Sequence, residues 1–326
     1  MGSIRENGLV CAYVINAQEQ ATAIALSAVD QWQPSQGYLW LHFDIREQAA
    51  REWITHRSHL PDVAINTLLT EETRPHVWRE GEALVMALRG VNLNPASVPE
   101  DMVAVRLYAD KHKIITTRRR SLMSLKNIAA RAQNGEGPAS VSDLVAELTG
   151  QLTSQLIGAI DSLEDAMDGL EEVILDEVKQ QRRVHVLELR RKCILLRRYL
   201  APQREALARL YLEPIGWMDE RQRMRQRNIA DQLVRYVDAL DVIKDRAAVV
   251  QEELSSRVAD QLNNRMYILS VVAALFLPLG FILNVFNLPI DGSPLVARGF
   301  GSLMLLGSMV VAVVVQIIIF KRKGWF

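Results

Sequence analysis

Apolar positions fall into two regimes along this chain. Met266 to Phe286 carries no formally charged side chain, and Gly299 to Phe320 is likewise uncharged and mostly apolar. Each run reaches the roughly 20 residues that a helix needs to cross the hydrocarbon of a bilayer. Upstream of the first run, Leu233, Tyr236, Leu240, Ile243, Ala247, Val250 and Leu254 recur at alternating spacings of three and four. That is a heptad seam, and a seam wants a partner helix. No proline or glycine interrupts Asp219 to Leu277, so the pattern predicts one helix about 90 Å long, much of it outside lipid.

The N-terminal pattern is shorter in period. Gly8 to Ile15, Tyr38 to Phe43 and Gly81 to Asn92 read as strands. Met102 to Asp110 and Lys113 to Thr117 read as a hairpin, with Val103, Val105 and Leu107 alternating onto one side. Ile45 to His56 and Pro61 to Leu69 read as helices, Pro61 being tolerated in a first turn. The fold class is therefore α+β or mixed α/β at the N-terminus. From Ser121 the pattern turns helical, with a break at Asn134 to Pro138, a cap at or near Ser142, and a helix running with few interruptions to about Lys179. Pro202 and the Pro214 to Gly216 cluster mark further turns or kinks.

Charge adds topology. Lys321, Arg322 and Lys323 follow the second apolar run and Arg265 precedes the first, whereas Asn287 to Arg298 carries only Asp291 and Arg298. The positive-inside rule places both ends in the cytoplasm and the short connection outside. Met1 to Gln20 lacks the basic start and continuous apolar run of a secretory signal, which agrees with a cytoplasmic body. Lys plus Arg and Asp plus Glu both number 38, so overall charge says nothing about an acidic or basic partner and only its distribution can; no nucleic-acid partner is expected. Charge is segregated locally. Asp161, Glu164, Asp165, Asp168, Glu171, Glu172, Asp176 and Glu177 form an acidic block, and Arg182, Arg183, Arg190, Arg191, Lys192, Arg197 and Arg198 a basic one. An antiparallel helical hairpin brings the blocks together; oligomerisation instead presents them as rings, and solvated helix faces are the plainer alternative.

Motifs for chemistry are sparse. Cys11 and Cys193 have no C-x-x-C spacing, which argues against a disulfide scaffold or thiolate metal site. There is no Walker A loop and no G-x-S-x-G elbow, so neither an ATP-driven pump nor a serine hydrolase is expected, and the chain is not read as an enzyme. His56 and His59 are three apart, close enough to share a helical face, with Asp62 nearby. They are weak candidates for a zinc site, since zinc accepts nitrogen and oxygen ligands.

Several stretches carry a family resemblance: Asn263-Asn264-Arg265-Met266-Tyr267, Ala274-Leu275-Phe276-Leu277-Pro278-Leu279-Gly280, Glu71-Glu72-Thr73-Arg74-Pro75, Leu88-Arg89-Gly90-Val91-Asn92-Leu93-Asn94, and Arg197-Arg198-Tyr199-Leu200-Ala201-Pro202-Gln203-Arg204. They resemble the CorA-type superfamily of divalent-metal transporters, and within it the ZntB zinc-transport branch. The resemblance implies a CorA-like funnel: a homopentamer with a large cytoplasmic domain, five first spans around a central pore and the second spans outside them. The segments expected on that basis are a cytoplasmic α/β domain over 1–120, a cytoplasmic helical region over 121–218, and a stalk helix over 219–265. A pore-lining span over 266–286, an external loop over 287–298, a second span over 299–320 and a cytoplasmic tail over 321–326 complete the chain.

The family's Gly-x-Asn signature at the external end of the first span is absent here. Ungapped matching from Phe276-Leu277-Pro278 puts Asn287, Leu288 and Pro289 on its three positions. Asn284 and Asn287 are then the nearest amides, because an amide oxygen accepts hydrogen bonds from metal-bound water. Asp291 is a candidate source of negative field at the entrance, or a plain turn aspartate. At the inner end, Asp260, Asn263 and Asn264 are candidates for a polar ring, and Leu262, Met266 and Leu269 for an apolar constriction that gates by dewetting. The expected function is membrane passage of a divalent cation, Zn²⁺ by resemblance, with no cofactor, in a bacterial-type inner membrane. The resemblance implies proton coupling as one route, and passive flow down the membrane potential is the other. The alternative is a membrane-anchored oligomeric sensor or scaffold that no longer conducts.

Overall fold

In the computed structural model, which describes residues 8–173, 180–213, 215–287 and 300–322, the short-period segments become strands β1 (Leu9–Ile15), β2 (Ala21–Ala23), β3 (Tyr38–Asp44), β4 (His76–Glu80), β5 (Ala83–Gly90), β6 (Val103–Ala109) and β7 (Lys113–Arg118). They pair in the order β2-β1-β3-β7-β6-β5-β4. Only β3 and β7 run parallel; the other neighbours are antiparallel. β3 is the pivot, buried along its whole length, so it reads as a near-continuous apolar run rather than an alternation. β2 and β4 were not expected. Both are short edge strands, and most of their residues are not buried, which leaves little apolar periodicity to detect.

One sheet face carries Leu39, Leu41, Phe43, Val85, Tyr108 and Ile115. Against it pack helices α1 (Gln48–His56) and α2 (Asp62–Leu69), which contribute Trp53, Ile54 and Leu68. Phe43 and Trp53 stack with ring centroids 5.0 Å apart. The opposite face, with Tyr38, Trp40 and His42, is covered by later elements: α3 (Met123–Gln133), α4 (Val141–Ser154) and α6 (Gln180–Leu212) touch strands of the sheet, while α5 (Ile157–Val173) packs against α6. A Cβ on Gly90 would lie 2.6 Å from Leu152 of α4, so glycine there lets the helix approach β5 closely. Gly37, at φ +127, would place a Cβ 2.3 Å from the Ile15 carbonyl oxygen; glycine is needed for the turn into β3.

The cap expected at or near Ser142 is Ser140, its hydroxyl accepting from the Asp143 N–H at 3.1 Å. The helix expected to reach Lys179 is divided at Gln155 and Leu156 into α4 and α5. Pro202 does not end α6, which continues to Leu212. Beside it, the buried Gln203 donates to the Arg89 carbonyl at 3.1 Å and accepts from the Arg89 N–H at 2.7 Å, tying α6 to β5.

α7 (Glu220–Asn287) contributes to both compact units of the chain, Met1–Gln251 and Glu252–Phe326. In the first unit its seam is buried at Leu233, Leu240, Ile243, Ala247 and Val250, but Tyr236 is only half-buried and Val237 takes its place. The Tyr236 hydroxyl instead accepts from Gln232 at 2.7 Å. The partners of the seam lie within the same chain. Gln226 bonds Thr149 of α4 at 3.1 Å, Arg246 bonds Asp168 and Glu171 of α5 at 2.6 and 2.9 Å, and Arg197 of α6 pairs with Asp241 at 2.7 Å. Among the described residues, Asp168 and Glu171 of the acidic block pair with Arg246 of α7, and Arg197 and Lys192 of the basic block pair with Asp241 and Glu100; Asp176 and Glu177 lie outside the described residues. The Arg246 guanidinium is raised above its ordinary pKa by the hydrogen bonds it donates to Glu171 and Asp168.

Candidate functional site

The second unit holds the apolar part of α7 and helix α8 (Phe300–Arg322). The most apolar 18-residue window of α7 has a mean hydropathy of 2.4 with none of it buried, and that of α8 reaches 2.8. Both helices are long and apolar enough to cross a membrane. A surface of this kind left uncovered in water is unfavourable at about 25 cal/mol per Å², so lipid or further copies of the chain must cover it.

Pro278 lies inside α7. Proline has no N–H, so the carbonyl four residues earlier, at Ala274, loses its helical donor. Gln316 of α8 supplies the replacement, its Nε2 donating to the Ala274 oxygen at 3.0 Å. In hydrocarbon a backbone carbonyl must be satisfied internally, and this one is satisfied by the neighbouring helix. The pairing was missed at the sequence level. Its signal was available: a proline inside the first run and a lone amide in the second.

The same bond sets the facing of α7. Val271, Ala274, Leu275 and Ile282 are partly covered, whereas Val272, Ala273, Phe276, Leu277 and Phe281 are exposed. At about 100° per residue, positions 262, 266, 269, 284 and 287 fall within an arc of about 60° on the side away from Ala274's neighbours. Position 263 flanks that arc, and 260 and 264 lie on the opposite side. The inner candidates thus separate. Leu262, Met266 and Leu269 are 55%, 62% and 64% exposed on one face, with Asn284 further along it. Asp260 and Asn264 are also exposed but do not share it, because a spacing of four residues returns to the same face and a spacing of two does not. Residue 287 ends α7, and Asp291 lies outside the described residues.

His56, His59 and Asp62 do not share a helix. His56 ends α1, His59 has φ +54 in the connection, and Asp62 begins α2. All three are exposed. Among the described residues, no group of three His, Cys, Asp or Glu side chains is gathered to hold a metal ion. What the α7 face offers is neutral: amide oxygens, apolar side chains, and no ionisable side chain from Met266 to Phe286 other than the Tyr267 phenol. Such a surface suits a cation that keeps its water, since small divalent ions dehydrate reluctantly and outer-shell water can be held by oxygen dipoles.

A mixed-sheet domain followed by long helices and two apolar C-terminal helices long enough to cross a membrane is the arrangement of a family of transporters rather than of enzymes. Residues 35–322 match the profile of the CorA-like Mg2+ transporter protein family, and the chain belongs to that family. It is 32% identical over 324 residues to the zinc transport protein ZntB of Yersinia pseudotuberculosis, covering 99% of this chain and 98% of that one. It is 32% identical over 293 residues to the divalent cation transporter CmaX of Pseudomonas aeruginosa, covering 89% and 88%. Among solved structures, full-length CmaX superposes with a TM-score of 0.86 at 31% identity, covering 99% of this chain and all of that one. The CorA magnesium transporter from Methanocaldococcus jannaschii superposes with a TM-score of 0.81 at 14% identity over 97% of this chain and 99% of that one, a likeness of fold.

Proposed function

We propose that copies of this chain assemble around a common axis, as a homopentamer, and pass divalent cations, Zn²⁺ foremost, along a path lined by α7. The observation that carries this reading is the uncovered face of α7 opposite its bond to Gln316. Among the described residues α8 lies against one side of α7 and nothing covers the other, a face that symmetry mates would complete. Zn²⁺ is favoured by the relative named for zinc transport along nearly the whole chain.

In this reading Leu262, Met266 and Leu269 form the apolar constriction, with Asn263 at its edge, and Asn284 and Asn287 offer amide oxygens towards the outer mouth. Asp291 follows at the entrance. Asp260 and Asn264 turn towards neighbouring helices or headgroups. The membrane potential drives a double positive charge with about 4.6 kcal/mol per 100 mV, enough for passive entry. No carboxylate stands in Met266 to Phe286 for a proton relay, so a co-transported proton would have to travel on water. The basic residues Arg265, Lys321, Arg322 and Lys323 favour, by the positive-inside rule, both termini on the cytoplasmic side of a bacterial inner membrane.

The test is flux of Zn²⁺, Mg²⁺, Ni²⁺ and Co²⁺ into proteoliposomes, with membrane potential and internal pH recorded together. Zn²⁺ entry that grows with inside-negative potential is expected. Absence of flux for every ion at an imposed gradient would replace the conduit with a non-conducting oligomeric sensor or scaffold.

A further inference from the structure

Three of the sequence stretches that the conduit does not use converge in space. Glu71 and Glu72, Arg89, and Tyr199 line one cleft of about 420 Å³ in the first unit, together with Asp101, Arg106, Arg119 and Arg120. Five arginines face it against three carboxylates. The excess is not evenly shared. Arg119 pairs with Glu71 at 2.8 Å, Arg120 pairs with Asp101, and Arg46, the fifth, is held by Asp44 at 2.6 Å. Among the described residues, Arg89 and Arg106 have no carboxylate at salt-bridge distance, although the charges of Glu72 and Glu71 act on them from further off.

Arg106 sits in the middle of the sheet, on β6 between β5 and β7, and is 1% exposed. Its Nη2 donates to the Glu71 carbonyl at 2.5 Å, while its Nε and Nη1 are buried without a partner. Arg89 bonds the Met102 and Thr73 carbonyls at 3.1 and 3.2 Å and stacks 4.1 Å from the Tyr199 ring centroid. Its Nε too is buried and unpartnered. Burial pushes the Arg106 guanidinium down to about 10, which still leaves it charged at neutral pH. A buried cation without a salt-bridge partner is costly. Buried Arg106 and part-buried Arg89 both line the cleft, three of their nitrogens have no hydrogen-bond partner, and further guanidinium groups stand at the rim; an anion would stabilise this arrangement. Guanidinium forks match the geometry of phosphate oxygens, and the volume lies in the range of small-molecule sites.

We propose that this cleft binds a small, soluble, phosphate-bearing anion, with Arg89 and Arg106 as its floor and Arg119 and Arg120 as its rim. Binding is independent of the conduit reading, because it draws on no residue of α7 or α8. The cleft is then a ligand input on the sheet domain. Arg89 ties it to α6 through the Gln203 amide, and Arg197 ties α6 to α7.

The experiment is calorimetric titration of the full-length protein in detergent with inorganic pyrophosphate, in phosphate-free buffer at constant ionic strength. One site per chain with a Kd below about 1 mM is expected. Arg106→Gln should weaken it roughly tenfold or more, the paired variant Arg119→Gln with Arg120→Gln several-fold, and Arg57→Gln, an exposed arginine outside the cleft, should leave it unchanged. The rim arginines are 42% and 44% exposed, so their replacement keeps the fold and tests the site even if Arg106→Gln does not fold. No binding up to about 10 mM pyrophosphate, or equal weakening by Arg57→Gln, overturns the proposal. Binding of dioctanoyl phosphatidic acid without binding of pyrophosphate also overturns it, by assigning the site to a lipid headgroup.

Discussion

Pro278 and Gln316 show how far a single residue can be read. The proline removes one donor, and the amide on the next helix replaces it. Gln316→Leu should destabilise the protein in detergent by about 0.6–2 kcal/mol, the range measured for interhelical hydrogen bonds in membranes. In a Pro278→Ala background, where residue 278 regains its N–H, the same change should cost little. A double-mutant cycle of melting temperatures checks this, and equal costs in both backgrounds would refute the role given to Gln316. His42 offers a second residue-level test. It is fully buried against Thr116, with its Nδ1 2.9 Å from the Thr116 hydroxyl, and burial, helped by the charge of Arg118, pushes its pKa down to about 3. In the unfolded chain the same imidazole titrates near about 6.5. Between those values the unfolded state binds the extra proton, so stability is complete above the unfolded value and falls as pH drops, by up to about 1.4 kcal/mol per pH unit. Thermal melting from pH 7 to pH 5 should show a shallower decline for His42→Gln than for the native chain. A cation such as Arg106 in mid-strand was invisible to pattern reading, because alternation predicts a face and not what shares it.

At the scale of elements, α7 carries the clearest lesson. Its apolar recurrence correctly announced a buried seam, yet the register moved from Tyr236 to Val237. A helix of about 3.6 residues per turn drifts against a strict heptad, and the tyrosine hydroxyl favours the edge where Gln232 and solvent are available. Leu240, wholly buried in that seam, should cost about 2–5 kcal/mol when changed to Ala, as urea or thermal unfolding of the full chain would show. Val249 is 68% exposed in the protomer, so Val249→Ala should shift stability by less than about 0.5 kcal/mol unless copies of the chain cover it. A large loss at Val249 would therefore report on assembly. The hairpin of β6 and β7 and helices α1 and α2 were legible within a few residues, since local alternation and period suffice for them. The break between α4 and α5, and the edge strands, were not.

For the whole molecule, the test of the conduit lies at its outer mouth. Asn287→Ala should lower Zn²⁺ flux by roughly tenfold, equivalent to about 1.4 kcal/mol of barrier, while Asn134→Ala, at the end of α3, should leave flux near the native value. Equal flux in both variants would remove residue 287 from the path. The sequence by itself determined the two apolar runs, the long stalk helix and the mixed sheet, because hydrophobic length and period are properties of the chain read in order. Tertiary structure alone decided which side of α7 is left open, which chain segment answers its seam, and that Glu71, Arg89, Arg106 and Tyr199 share a cleft. These depend on contacts between residues far apart in sequence, and no local pattern encodes a distance across the fold.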